Sequence, residues 1–248
     1  MQSKKAQSRT QAQELITNGH VYIKLDQKVQ KLIKSSFEVT AELEPLIGVE
    51  SNLIQKYVSR GGLKLEAAIK KLNLLIKNKI VLDVGQSTGG FTDCLLQLGA
   101  LQVVGIDVGH NQLHASLKTA PNVMSIEGLH VKNLATHQEF CKAVPKEKFS
   151  LVVADVSFIS LTKVMGYLKP FLADQADYLF LVKPQFEAGP DALDKNGIVI
   201  DEKFYGLVEN QVKESAVKTF GSVISYFKSE LPGKDGNQEF FIYGKNQA

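Results

Sequence analysis

Short apolar strands alternate with helices from residue 79 onward, and this alternation constrains the fold more than any other feature. Parallel strands with both faces buried read as near-continuous apolar runs, and they need helical crossovers between them. Runs of this kind stand at 79–85, 101–109, 122–127, 149–157 and 178–183. Helical segments are predicted at 90–99, 161–173 and 203–220. The pattern predicts an α/β domain with a parallel sheet, and the runs at 222–229 and 239–244 are expected to add antiparallel strands.

The first third of the chain has a different character. Residues 1–79 carry 14 Lys and Arg against 7 Asp and Glu, whereas residues 80–248 carry 15 against 19. Such asymmetry favours a front end that binds a polyanion, although a solvated lysine-rich surface would give the same count. A helix stopped at Asn18-Gly19 and a strand to residue 23 are expected, with one or two weaker strands in 30–45 and a helix over 61–74.

Composition excludes several other classes of protein. No apolar run reaches the roughly 18 residues of a membrane helix, and the first fifteen residues lack the apolar core of a secretory signal. Cys94 and Cys141 fit no metal or redox spacing, which is typical of reduced thiols in a cytoplasmic protein.

A glycine loop follows the first strand of the large domain. The stretch VLDVGQSTGGFTD spaces Asp83, Gly85 and Gly89 as Asp-x-Gly-x-x-x-Gly. This is neither the dinucleotide fingerprint nor a P-loop, so it favours a nucleoside-like ligand without a pyrophosphate. Asp107 ends the next strand, where a carboxylate can accept hydrogen bonds from both ribose hydroxyls; a solvated loop aspartate is the alternative. Loop and acid together indicate S-adenosylmethionine. Asp83 is expected to fix the amides of the loop or to approach the methionine amine.

Lys183 is a charged residue in an unusual position, directly after a run of apolar residues. It ends the run YLFLV, and a lysine there is costly unless the site needs it. Asp155 ends the preceding strand in the same way, and open α/β sheets bind ligands outside the carboxyl ends of their strands.

Five segments together closely resemble the TlyA family, which is related to the FtsJ-like RNA ribose 2′-O-methyltransferases. The segments are YVSRGGLKLE, LDVGQSTGGFTDCLLQLGA, DVSFISL, LVKPQFEAG and GNQEFF, and the match runs from about residue 8 to 243. The resemblance implies a class I S-adenosylmethionine-dependent methyltransferase fold over residues 56–248. It also implies that residues 1–55 form a small RNA-binding module of the ribosomal-protein-S-four type with a linker, truncated here because MQSKKAQ replaces the usual first helix. The implied activity is methylation of cytidine 2′-hydroxyls in ribosomal RNA.

The resemblance also assigns residues to roles. The catalytic set carried over by motif is Lys64, Asp155, Lys183 and Glu239. Lys183 is expected to act as general base, since partial burial and a second ammonium favour the neutral amine, whereas nearby anions oppose it; the sequence leaves open which effect dominates. The expected cofactor contacts are Asp83, Gly85, Ser87, Thr88, Gly89, Gly90, Phe91, Asp107, Val108 and Asp155. The segment EGLHVKN (127–133), which replaces the family's usual Arg-x-Asn stretch, is expected to border the adenine.

Ribosomal RNA or ribosomal subunits are the expected partners, with no metal and no membrane. RNA phosphates are expected to meet Lys4, Lys5, Arg9, Lys56 and Arg60. Two alternatives stay open: a non-catalytic RNA- or ribosome-binding protein of the same fold, and a membrane-active haemolysin, a label that several family members carry.

Overall fold

The structure is a computed structural model that describes residues 9–17, 19–25, 28–34, 36–49 and 56–247. Within it, the chain divides into two compact units, Met1–Arg60 and Gly61–Ala248. The division lies a few residues after the expected boundary at 55/56.

The first unit is built on a three-stranded antiparallel sheet in the order β2-β1-β3. Its elements are α1 (Arg9–Thr17), β1 (Val21–Leu25), β2 (Lys28–Leu32), a 3₁₀ turn (Glu44–Leu46) and β3 (Ile47–Val49). The small core consists of Leu15, Val21, Ile23 and Leu32. The expectation of strands across 30–45 was wrong in extent. β2 ends at Leu32, and the next strand does not begin until Ile47, after residues 36–43 that are mostly exposed.

The second unit contains a seven-stranded sheet in the order β6-β5-β4-β7-β8-β10-β9. Strands β4 to β8 pair in parallel, whereas β10 pairs antiparallel with β8 and with β9. The predicted parallel sheet with two added antiparallel strands is therefore confirmed. The strands are β4 (Ile80–Val84), β5 (Gln102–Asp107), β6 (Val123–Glu127), β7 (Phe149–Ala154), β8 (Leu172–Val182), β9 (Ser225–Lys228) and β10 (Phe240–Lys245).

Helices connect these strands. They are α2 (Arg60–Leu72), α3 (Gly90–Gln97), α4 (Ala115–Lys118), α5 (Gln138–Ala143), α6 (Leu161–Leu168), α7 (Pro184–Glu187) and α8 (Lys203–Phe220), with 3₁₀ turns at Val131–Thr136, Lys169–Phe171 and Pro190–Ala192. The helix expected over 161–173 ends early, at Leu168, because Pro170 cannot continue it and β8 begins at Leu172.

The strands of the central sheet are buried on both faces. In β4, Leu82 and Val84 belong to the main core with Val152 and Phe180, while the intervening residues of these strands are also fully enclosed. The order reverses at β4, which lies between β5 and β7. Ligands of open α/β sheets bind outside the carboxyl ends of the strands at such a point.

Candidate active site

Three neighbouring strands bring the predicted catalytic side chains to one edge of the sheet. Asp155 follows β7 and Lys183 follows β8, so both lie at carboxyl ends. Glu239 precedes β10, which runs the other way, and Phe240 is the register partner of Val182. Glu239 therefore starts its strand where Lys183 leaves its own. Lys64, on α2, completes the group.

The four side chains form two ion pairs. Lys183 Nζ lies 2.6 Å from Asp155 Oδ1 and donates to Ser157 Oγ at 2.9 Å. Lys64 Nζ donates to Glu239 Oε2 at 2.5 Å. The carboxylate of Glu239 also interacts electrostatically with Asp155 and Lys183, so the two pairs form one electrostatic cluster.

The two pairs differ in their access to solvent. Lys64 and Glu239 are almost completely enclosed, with side-chain exposures of 9% and 4%, whereas those of Lys183 and Asp155 are 13% and 26%. Burial raises the pKa of Glu239, and the adjacent Lys64 ammonium opposes that rise. The cluster thus has an enclosed pair, in which the opposite charges of Lys64 and Glu239 balance, and an open pair, Lys183 and Asp155, that a substrate can reach.

The glycine loop lies beside the open pair, and contacts within the protein require glycine at two of its positions. Gly85 has φ +83°, and a Cβ there would lie 2.4 Å from the carbonyl oxygen of Asp155. Gly89 has φ +92°, and a Cβ there would overlap the side chain of Leu117 at 2.3 Å. Contacts within the protein therefore already require glycine at both positions, whether or not a ligand approaches the loop.

A cavity of about 280 Å³ opens at the carboxyl ends of β4, β5 and β7. Its lining includes five of the predicted cofactor contacts: Gly85, Ser87, Asp107, Val108 and Asp155. The other five, Asp83, Thr88, Gly89, Gly90 and Phe91, are not among its lining residues. The lining also includes Leu129, His130 and Val131, which belong to the segment that the resemblance places beside the adenine and which follow the end of β6. The sequence reasoning missed further lining residues, including Gln112, Val156, Ser157, Phe158 and Ile159.

Asp107 is placed as a ribose acceptor would be. It lines the cavity, and its carboxylate accepts from the backbone amides of Ser87 and Gly109, each at 2.7 Å. A carboxylate has about four acceptor positions, so two remain for ligand hydroxyls. The residues of the cavity therefore fit a nucleoside-bearing cofactor.

Asp83 lies beneath the loop and supports helix α3. Thr92 Oγ1 donates to its Oδ2 at 2.6 Å, and Gln86 Nε2 donates to Thr92 Oγ1 at 2.9 Å. Ser125 extends the same chain by donating to Gln86 Oε1. Complete burial raises the pKa of Asp83 to about 7. Oδ1 has no hydrogen-bond partner among the described residues, and the carboxyl holds the first turn of α3 rather than the loop amides.

The predicted RNA-binding residues all belong to the first unit, Met1–Arg60. Lys4 and Lys5 lie outside the described residues, and Arg9 is described only as the first residue of α1. The Lys56 ammonium lies 5.2 Å from the centroid of the Tyr57 ring, and Arg60 begins α2. Across the described ranges, we find no helix with the length and apolar character needed to span a membrane.

Comparison with known proteins identifies relatives over most of the chain. A family model described as FtsJ-like methyltransferase matches residues 57–246. The chain is 36% identical to the 16S/23S rRNA (cytidine-2′-O)-methyltransferase TlyA of Mycobacterium tuberculosis, covering 98% of this chain and 86% of the relative. It is 36% identical to Hemolysin A of Brachyspira hyodysenteriae, covering 96% and 93%. A solved structure from Streptococcus thermophilus superimposes with a TM-score of 0.76 at 33% identity, covering 97% of this chain and 84% of that one.

Proposed function

The chain belongs to the FtsJ-like methyltransferase family, and from that premise we propose that it is an S-adenosylmethionine-dependent methyltransferase acting on ribose 2′-hydroxyls of ribosomal RNA. The relative from M. tuberculosis is named for cytidine, so cytidine is the target nucleoside that we propose here. The unit formed by residues 61–248 has the α/β methyltransferase fold.

One observation carries the proposal. The solvent-accessible pair of Lys183 and Asp155 borders the cavity that fits a nucleoside, because Asp155 lies both in the cavity wall and 2.6 Å from Lys183 Nζ. A methyl donor in the cavity and an acceptor hydroxyl at Lys183 would therefore meet at Asp155. Ser157, which also lines the cavity, holds the same ammonium from the other side.

Each residue then has a distinct task. S-adenosylmethionine supplies a methyl group activated by a positively charged sulfur. The 2′-oxygen would accept this methyl group while the sulfur leaves as a neutral thioether. Lys183, once it has given up its own proton, would take the hydroxyl proton and return to the ammonium that Asp155 and Ser157 hold. Asp155 fixes the direction of Nζ and stabilises the ammonium that forms. The opposite charges of Lys64 and Glu239 balance, so this pair adds no net charge to the site.

The donor is held by the cavity residues of this chain. Asp107 would bind the ribose hydroxyls with its remaining acceptor positions, and the apolar side chains Val108, Leu129 and Val131 would enclose the base. Asp83 acts from below by fixing α3, the helix that begins at the end of the loop.

RNA would reach the site from the solvent side of Lys183. Phe158 is 91% exposed, so most of its ring surface is accessible to solvent beside Ser157. A base that leaves its stack can rest on such a ring. We further propose that the first unit is an RNA-binding module of the ribosomal-protein-S-four type, which grips phosphates through its lysines and arginines.

The test is methyl transfer from labelled S-adenosylmethionine to isolated small and large ribosomal subunits. We expect label in RNA from the native chain and from Lys218→Ala, which removes an exposed lysine of α8, and a loss of about 10²- to 10⁴-fold for Lys183→Ala. Equal labelling by native chain and Lys183→Ala would remove Lys183 as the base. Cofactor binding without label from any variant would instead favour a non-catalytic RNA-binding protein.

A further inference from the structure

Two short segments carry the open pair of the site. We call residues 155–161, which follow β7 and enter α6, the Asp155 segment, and residues 183–187, which follow β8 and form α7, the Lys183 segment. Both partners of the Lys183 ammonium, Asp155 and Ser157, belong to the Asp155 segment. The reactive geometry therefore depends on how firmly one segment is held against the other.

Glu187 joins the two segments at the end remote from Lys183. Its Oε2 accepts from Ser160 Oγ and its Oε1 accepts from the backbone amide of Leu161, each at 2.6 Å. Ser160 precedes α6 but makes no side-chain cap of its own, so the first amide of α6 is satisfied from the other segment. The negative charge of the carboxylate also interacts favourably with the positive end of the α6 dipole.

The Lys183 segment is short and stiff enough to transmit this attachment. Pro184 fixes its own φ, the Phe186 amide donates to the Lys183 carbonyl and the Ala188 amide donates to the Pro184 carbonyl, each bond at 2.9 Å. One helical turn thus separates the anchored carboxylate from the lysine. The rings of Phe158 and Phe186, with centroids 5.2 Å apart, add an apolar contact between the same two segments.

We propose that Glu187 is a positioning residue for methyl transfer, holding the Lys183 segment against the Asp155 segment so that Lys183, Asp155 and Ser157 stay in register with the cavity. This inference rests on the proposed function, since it assigns Glu187 a task in that reaction. Burial raises the pKa of Glu187, in keeping with a carboxylate that is enclosed between two segments rather than solvated.

A helix cap that only stabilised the fold would behave differently from a positioning residue. Glu187→Gln keeps an acceptor for the Leu161 amide and a polar group for Ser160, whereas Glu187→Ala keeps neither. Asp201→Ala is the matched control, because it removes a carboxylate that accepts from the Lys203 amide at 2.9 Å at the start of α8, outside the site. The full chain is used throughout.

Two measurements are made on each variant: hydrogen–deuterium exchange of peptides covering residues 155–165, and the kcat and KM of methyl transfer to ribosomal subunits. For Glu187→Ala we expect faster exchange in these peptides and a kcat lower by about 10- to 100-fold, with the KM for RNA little changed. Glu187→Gln is expected to restore both, and Asp201→Ala to alter neither.

Unchanged exchange in Glu187→Ala would overturn the inference, because the segments would not depend on Glu187. Faster exchange with native kcat would overturn it as well, since Glu187 would then be a cap without consequence for catalysis. A native chain that labels no RNA would instead refute the proposed function, and the exchange experiment would still decide whether Glu187 ties the segments together.

Discussion

The enclosed pair of Lys64 and Glu239 leads to a strong prediction about stability. The two residues are 8% and 3% exposed, and their charged atoms are 2.5 Å apart. Removing one partner of such a pair leaves a buried charge without compensation, which costs about 3–5 kcal/mol, whereas replacing both with apolar side chains of similar volume is often close to neutral.

The perturbation is a double-mutant cycle of Lys64→Met, Glu239→Leu and the combined variant. Each single variant is expected to lose about 3–5 kcal/mol in free energy of unfolding. For a unit of this size, that loss lowers the melting temperature by roughly 6–20 °C. The combined variant is expected to lie within about 1 kcal/mol of the native chain, so the coupling between the two sites is strongly non-additive.

The direction of the pH effect separates the two single variants. Burial raises the pKa of Glu239, and Lys64→Met removes the ammonium that opposes this rise. A folded-state pKa above the unfolded value favours the folded state at low pH and loses that advantage as pH rises through the folded value. The deficit of Lys64→Met should therefore shrink on acidification, whereas that of Glu239→Leu, which strands an ammonium, should not.

The assay is urea denaturation followed by far-ultraviolet circular dichroism at several pH values, with methyl transfer measured on the same preparations. We expect the combined variant to be folded, so its activity tests the catalytic role of the pair separately from its effect on stability. If the combined variant lost as much stability as the sum of the two single variants, the argument from buried charge would be refuted. Full activity in the combined variant would remove the pair from the catalytic set.

Two further predictions concern the loop and the residue beneath it. Gly85→Ala should cost more stability than Gly236→Ala, for which about 1–2 kcal/mol is expected, because both have positive φ but only Gly85 would place its Cβ 2.4 Å from a backbone oxygen; equal melting temperatures would contradict this. Asp83, with its pKa raised by burial to about 7, should make the native chain lose stability relative to Asp83→Asn as pH rises from about 4 to 7, and a constant difference across that range in urea denaturation would contradict the raised pKa.

Much of the sheet could be predicted from the sequence because its strands are continuous apolar runs. The exception is β8, which was expected to begin near residue 178 and begins at Leu172. Its first half contains Asp174 and Gln175, which are exposed, and Gln175 has φ +57°. Its Asp177 is buried because Lys79 and Lys245 both bind it, each at 2.9 Å. Because Lys79 and Lys245 lie far from Asp177 in the chain, no local sequence pattern predicts that Asp177 is buried in a strand.

The site could be predicted only in part for the same reason. Lys183 stands out as a charged residue at the end of a buried run, whereas Asp155 was identified through the family resemblance, with which its position at a strand end agrees. Lys64 and Glu239 are 175 residues apart, and only the family resemblance paired them with the others. Residues 129–131, which line the cavity, were likewise placed beside the adenine only through the family resemblance, since their position depends on where β6 ends in the sheet. Glu187 lies within LVKPQFEAG, one of the segments that carry the family resemblance, but its contact with Leu161 at the start of α6 can be identified only in the structure.

The antiparallel pairing of β8 with β10 makes strand alignment a determinant of activity. Because side chains alternate between the faces of a strand, a shift of β10 by one residue along β8 would exchange the face of every side chain on it and withdraw Glu239 from Lys64. Loop length before β10 is therefore freer to vary than strand length. Insertions in the turn at residues 234–236 would leave this pairing unchanged, whereas a single residue gained or lost between Glu239 and Lys245 would dismantle the site while leaving every catalytic side chain in the sequence.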